Sequence, residues 1–346
     1  MIVDLNQLKA PQIICLGEAL LDRLGPLGGD LFLDNAVEDC LGGAPANVAC
    51  GLAKLGTEVA FVGRLGEDAI GKHFQHLFQV RGVHSQGIQI DERRPSRVVL
   101  VRRDLRGERS FQGFKGGEDN GFADQALSLN DLKKVWPCLV LKARWLLIGT
   151  IPLSTSNSSE SLLWSVDEAL KKDIQLAIDI NWRPTFWDPK NDPDSGPNKV
   201  AIAKISPLLE KASLLKLAKE EAKWFFNTSE PCQISRLLPK HPDVVVTDGA
   251  RPLHWCIGGF SGEMCVFSPL SVVDTTGAGD AFTAGLLHQF LLSTSMQMKA
   301  EAAVEEMVRF AAACGALVCG GAGAINPQPT YEEVKKFLFD SIDGNK

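Results

Sequence analysis

The chain lacks any apolar run near the roughly 20 residues that a helix needs to cross a bilayer, so no membrane partner is expected. It also lacks an excess of positive charge. A net charge of -6 argues against a protein that grips nucleic acid through its phosphates. No C-x-x-C pair occurs among its nine cysteines. Cys15, Cys50, Cys314 and Cys319 stand in apolar surroundings and read as buried, reduced thiols of a cytoplasmic protein. The opening residues MIVDLNQLKAPQ (1–12) have neither the basic region nor the apolar stretch of a secretory signal. His73 and His76 sit at helical spacing, but no further His or Cys completes a metal cluster, leaving a solvated helix face. Internal repeats and long low-complexity segments are absent too.

What remains is 346 residues, 45% hydrophobic and 23% charged, enough for one large α/β domain or two. Short apolar runs recur as candidate strands: IICLG (13–17), VAFVG (59–63), WLLIG (145–149), QLAIDIN (175–181), LLKL (214–217), VVVTDG (244–249) and MCVFS (264–268). Amphipathic stretches lie between several of them, as at 45–55, which sets Ala49, Leu52 and Ala53 on one face, and at 159–171. Buried strands alternating with helices predict a largely parallel sheet covered on both faces. Residues 18–39 and 96–114 break the pattern. Both read as short strands joined by Gly, Pro and Asp turns. They are expected to pair into a small sheet that serves as a lid or a dimer contact, or else to be two separate surface hairpins. DPKNDPDSGPNK (188–199) reads as a polar loop, since its prolines continue neither helix nor central strand.

The most informative stretch is DTTGAGDAFTAG (274–285). A dinucleotide fingerprint needs a third small residue, yet Phe282 stands there, and Asp280 falls where a pyrophosphate would approach. No GK[ST] follows the glycines, so a Walker A loop fails as well. Residues 271–276 are expected to be extended and 281–292 (AFTAGLLHQFLL) a buried helix. The N–H groups of Ala278, Gly279 and Asp280 then fall at a helix N-terminus, which favours an anion. This suits phosphoryl transfer, with the backbone holding charge and Asp280 accepting the proton of an attacking alcohol. The helix dipole is expected to keep Asp280 ionised and therefore weakly basic. A simple helix cap is the plainer alternative.

A second glycine turn enters a helix at LGGAPANVACGLAKLG (41–56), with Pro45 preset for the first turn. Asn47 offers an amide that both donates and accepts. Taken together, GGAPANVA (42–49) and DTTGAGDAFTAG (274–285) resemble the two signatures of the PfkB, or ribokinase-like, carbohydrate kinases. The resemblance runs from IICLGEALLD (13–22) to GAINPQPTYEEV (323–334).

The resemblance implies a single ribokinase-like domain over residues 1–346, a mostly parallel sheet flanked by helices, with a small β lid from 18–39 and 96–114. It implies that Asp280 is the catalytic base and that Gly277, Ala278 and Gly279 form the anion hole. Asp22, Gly42, Gly43 and Asn47 would bind sugar hydroxyls, and Arg183 would meet sugar or phosphate charge or else form a structural ion pair. Mg·ATP would be the donor, with Lys216, Thr247, Gly249 and Gly315 near the nucleotide. Glu221 would organise Mg²⁺ through its waters. Asp274 and Thr276 would hold a monovalent cation such as K⁺, or Asp274 would simply cap the turn. GEALLDRLG (17–25), GERSFQGF (107–114) and DINWRPTFW (179–187) look like fructokinases, which implies fructose as the acceptor. Ribose, 2-keto-3-deoxygluconate and a non-catalytic sugar-binding role are the alternatives, and a homodimer through the lid is a further expectation. Three positions depart from the family pattern: Ala218, expected to leave Glu221 less supported; Ala312, where an Asn near the adenine is usual; and Pro252.

Overall fold

The structure is a computed structural model, and it describes residues 10–29, 38–103, 109–117, 120–267, 271–293, 298 and 300–343. The N-terminal residues 1–9, positions 30–37 and 104–108 of the two lid segments, and Ser268 lie outside the described residues. In chain order the strands are β1 (Ile13–Leu16), β2 (Leu20–Leu27), β3 (Glu38–Gly42), β4 (Val59–Gly66), β5 (His84–Asp91), β6 (Val98–Arg103), β7 (Arg109–Lys115), β8 (Trp145–Ile148), β9 (Gln175–Asp179), β10 (Leu214–Ala218), β11 (Asp243–Asp248), β12 (Arg251–Ile257) and β13 (Phe260–Met264).

Nine of them form one sheet in the order β13-β12-β11-β10-β9-β8-β1-β4-β5. From β11 to β5 every pairing is parallel, while β12 and β13 add an antiparallel edge. Alternation along β1 divides the core. Ile13 and Cys15 face one apolar cluster with Phe282, Leu286 and Val308, and Ile14 and Leu16 face another with Leu162, Ile205 and Leu217. The helices Ala278–Leu292 and Glu301–Val318 therefore cover one face, and Ser156–Leu170 and Lys199–Leu209 the other. A sheet buried on both sides needs the near-continuous apolar strands that the sequence contains.

The two segments outside the parallel pattern meet as expected. They build a second sheet, β3-β2-β6-β7, with β2 and β6 parallel and the outer pairs antiparallel. Val99 and Val101 face one side with Leu20 and Phe111, and Val98 and Leu100 the other with Leu21.

Several expectations need correction. The final strand is not 264–268, because β13 ends at Met264; the hairpin partner β12 had not been read as a strand. Its Pro252 lies where the β11–β12 register shifts at Thr247, a bulge where a missing N–H costs no ladder bond. Residues 271–276, expected to be extended, form no strand, with bends at Ser271 and Val273 and a turn starting at Thr276. The helix Ala44–Lys54 is buried on most of its surface, not on one face, since it lies between the sheet and the helix Ala278–Leu292. Among the described residues, no helix is long and apolar enough to cross a membrane.

Candidate active site

Chain direction divides at β1: the next strand of the large sheet, β4, adds on one side, and β8 lies on the other. Ligands of open α/β sheets gather beyond the carboxyl ends of strands at such a point. A cleft of about 600 Å³ opens there, walled by both sheets. The small sheet contributes Leu20, Asp22, Val99 and Phe111. From the main body come Asn47, Arg183, Lys216 and the turn Gly277–Ala278–Gly279–Asp280.

The helix after that turn begins three residues earlier than expected, at Ala278, with Gly277 as its N-cap at φ +79°. A Cβ on Gly277 would stand 2.5 Å from the Ala324 Cβ, so glycine is required for both conformation and space. Ala278, Gly279 and Asp280 occupy the first turn, whose N–H groups have no partner within the helix. Asn47 Nδ2 donates to Asp280 Oδ2 at 2.7 Å, and Asn47 Oδ1 is buried without a hydrogen-bond partner among the described residues. The second glycine turn thus touches the first through one side-chain hydrogen bond between residues far apart in sequence.

Beneath Asp280 lies a buried ion pair. Lys216 Nζ donates to both Asp179 oxygens, at 3.2 and 3.0 Å, and Thr283 Oγ1 donates to Asp179 Oδ2 at 3.3 Å. Burial lifts the Asp280 carboxyl from its usual range to about 6. The Asp179 charge adds to the lift; Asn47, Lys216 and Arg183 oppose it. At neutral pH Asp280 is still mostly ionised, as expected, but it is a stronger base than the helix dipole alone implied. Burial alone would push the Lys216 ammonium down, yet Asp179, Glu221 and Asp280 hold it above its usual value.

Other expected residues fall in varied places. Asp22 lines the cleft, half-buried, and Gly42 packs beside it, where a Cβ would lie 3.0 Å from Asp22 Oδ2. Gly43 lines the cleft and caps the helix Ala44–Lys54. Arg183 is exposed, lines the cleft and donates to Trp182 O. Thr247, Gly249, Gly315, Glu221 and Asp274 do not line the cleft. Thr247 and Gly249 sit at the β11–β12 turn, and Gly315 packs under the first turn of the helix, its would-be Cβ 3.0 Å from Ala278 O. Ala312 is buried in the same helix as Gly315, in the apolar core.

The Glu221 carboxylate accepts from Trp182 N at 2.6 Å and from Ala218 N at 2.7 Å, tying together the ends of β9 and β10. The second of these donors is a backbone N–H, which any residue but proline supplies at position 218. Burial, then the Asp179 charge, push this carboxyl up against the opposing Lys216. Asp274 accepts from Thr276 N, Thr276 Oγ1 and Gly323 N, fixing the turn before Gly277.

Two lining residues escaped the reading of the sequence. Glu18 is buried just beyond β1, where Oε1 accepts from Ala44 N at 3.2 Å and Oε2 has no hydrogen-bond partner among the described residues; burial pushes its carboxyl up to about 8. An acid directly after an apolar strand and a glycine was its signal. Asn181 lines the cleft with a left-handed φ of +43°, a conformation Asn tolerates better than most.

The sequence profile of the pfkB family carbohydrate kinases matches residues 10–331. The chain belongs to this family. As a pfkB carbohydrate kinase it is a phosphotransferase with an alcohol acceptor, and its fold is the ribokinase-like one. The probable chloroplastic fructokinase-6 of Arabidopsis thaliana is 31% identical over 339 residues, spanning 96% of this kinase and 84% of that protein. The fructokinase of Xylella fastidiosa, solved with bound ATP, is 28% identical with a TM-score of 0.80, covering 95% of this chain and 98% of that one. The fructokinase of Vibrio cholerae O395, solved with fructose, ADP and a calcium ion, is 26% identical with a TM-score of 0.76, covering 95% and 99%. The pfkB kinase described here is thus of the fructokinase type.

Proposed function

We propose that this kinase transfers the γ-phosphate of ATP to the primary hydroxyl of fructose, yielding fructose 6-phosphate. The observation that carries the reading is the position of Asp280: a carboxylate lifted to about 6, in the first turn of a helix whose amides open on the same cleft. Asp22 and Asn47 line the same cleft and would serve as hydroxyl partners. The relatives solved with ATP and with fructose and ADP support the choice of reactants.

The cleft fits a triphosphate. Gly277 lets the turn pack tightly against Ala324, and Lys216 Nζ lies 3.0 Å from where a Cβ of Gly279 would stand. The amides of the turn and Lys216 would hold the negative oxygens of the transferring group, charge that preorganised donors stabilise without reorganising. Arg183 adds positive charge at the rim. Asp280 takes the proton of the sugar hydroxyl as that oxygen bonds to phosphorus, while Asn47 keeps its carboxylate aimed. Closing the small sheet over the sugar would exclude water and limit hydrolysis.

Mg²⁺ carried by the triphosphate would neutralise its charge. Among the described residues no group of three or more His, Cys, Asp or Glu is placed to hold a metal, so the ion's ligands would come mainly from phosphate and water. Glu221 then acts by bracing the strand ends beside Lys216. Asp274 and Thr276 are the oxygen donors available to a monovalent cation behind the turn.

An acceptor panel tests the assignment. Fructose should exceed ribose, glucose and 2-keto-3-deoxygluconate by at least about tenfold in kcat/KM, with ADP released in step. Preference for another acceptor would overturn the choice of sugar. Heat stabilisation by sugar with no turnover would identify a binding protein instead. Asp22→Ala should raise the KM for fructose by about 10–100-fold, as expected for a lost charged hydrogen bond, and leave the KM for ATP unchanged.

The pH profile tests the base. Asp280 must be ionised to accept the proton, so kcat/KM should fall about tenfold per unit below pH 6. Asp179→Asn removes a neighbouring negative charge and frees the opposing Lys216. Both changes favour ionised Asp280, so the acid limb should move to lower pH. A limb that stays in place or moves upward would contradict the electrostatic account.

A further inference from the structure

Cys232 stands in the first turn of the short helix Pro231–Leu237, and Cys256 near the end of β12. Along β12, Leu253, Trp255 and Ile257 alternate into one apolar cluster, so His254 and Cys256 face the other side of the sheet. The helix lies on that side, where Ile234 packs with Val244 and Val246. There the two sulfurs come within 2.7 Å. That is well inside the ~3.5–4.0 Å of ordinary non-bonded packing. Both residues are half-buried, within reach of a small oxidant but away from bulk solvent.

We propose that Cys232 and Cys256 are a modification site, forming a reversible intramolecular disulfide when the kinase meets a hydroperoxide. One sulfur of the pair, as the thiolate, attacks a peroxide oxygen and the O–O bond breaks. With hydrogen peroxide the departing hydroxide takes up the proton that left the thiol and becomes water. The second sulfur then attacks the resulting sulfenic acid, the S–O bond breaks, and the hydroxyl leaves with the second thiol's proton as another water. Two thiols lose two electrons in total, and one peroxide gains them.

Burial, then contact with Cys232, push the Cys256 thiol up; Asp243 of β11 adds to this and Arg236 of the helix opposes it. The bond would fasten the helix to the β11–β12 hairpin, which carries Thr247 near the end of β11 and Gly249 in its turn. The site is remote from the cleft, so the inference does not depend on which sugar is phosphorylated.

The full-length kinase, first reduced, is exposed to hydrogen peroxide, its remaining thiols are alkylated, and its peptides are mapped by mass. A linked pair of Cys232 and Cys256 peptides, lighter by two hydrogens and released by dithiothreitol, is expected. The oxidised protein should melt about 2–5 °C higher, as closing such a loop predicts. Cys232→Ser and Cys256→Ser should each abolish the linkage and the shift. Full alkylation of Cys232 and Cys256 while the exposed Cys138 and Cys265 are oxidised would overturn the proposal. So would an equal thermal shift in either variant, which needs no catalytic assay to read.

Discussion

Replacing Asp280 by Asn should lower kcat by about 10²–10⁴-fold, the range lost with a general base, and leave fructose affinity within about threefold. The variant keeps the size of the side chain, and its amide oxygen can still accept from Asn47, so the wall of the cleft stays in place. What disappears is the site for the hydroxyl proton. Stability separates this outcome from simple damage. The carboxyl is lifted from 3.8 to about 6 in the folded protein, so its charge costs stability as pH rises through that window. The neutral variant should therefore melt no lower than the parent at pH 7. Near-parental turnover in a folded Asp280→Asn protein would remove Asp280 from its role.

Gly277→Ala should be nearly as severe, for a steric reason. The residue combines a left-handed φ of +79° with a position where a Cβ meets Ala324 Cβ at 2.5 Å and its Cα at 2.7 Å. The turn must shift, and the amides behind it shift with it. Loss of a preorganised donor typically costs about 10²–10³-fold in kcat, and that is the expected fall, with a lower melting temperature as well. Gly259→Ala is the control. It shares the left-handed conformation, at φ +85°, but nothing lies within 4 Å of its would-be Cβ. That variant should show the conformational strain, about 1 kcal/mol, with activity retained. Equal kinetics in the two variants would mean that the turn does not need its present position.

Much of this arrangement was legible in the sequence because it rests on local rules. Apolar runs between amphipathic stretches disclosed the parallel sheet, and Asp280 beside GAG marked a helix start unsuited to a dinucleotide. The pairing of 18–39 with 96–114 was also foreseeable, since neither exposed segment could complete a sheet alone. What escaped were consequences of tertiary placement. The hairpin at β12 contains Pro252, which hides a strand from propensity and is tolerated only because the register shifts there. Glu18 and Asn181 look like ordinary polar residues until strand ends bring them to the cleft. The two backbone hydrogen bonds of Glu221 depend on where residues 182 and 218 meet, which no local pattern discloses. The strength of Asp280 as a base had no local signature either: it comes from burial and from Asp179, about a hundred positions away.

The most direct test of the central claim is to identify the product. The purified kinase, given fructose and Mg·ATP, is followed by phosphorus NMR until the ATP is consumed. The account predicts one phosphate monoester coupled to the two protons of C6, formed in equal amount to ADP and absent with Asp280→Asn. A phosphate on C1, or ADP accumulating with inorganic phosphate in place of a sugar ester, would contradict it.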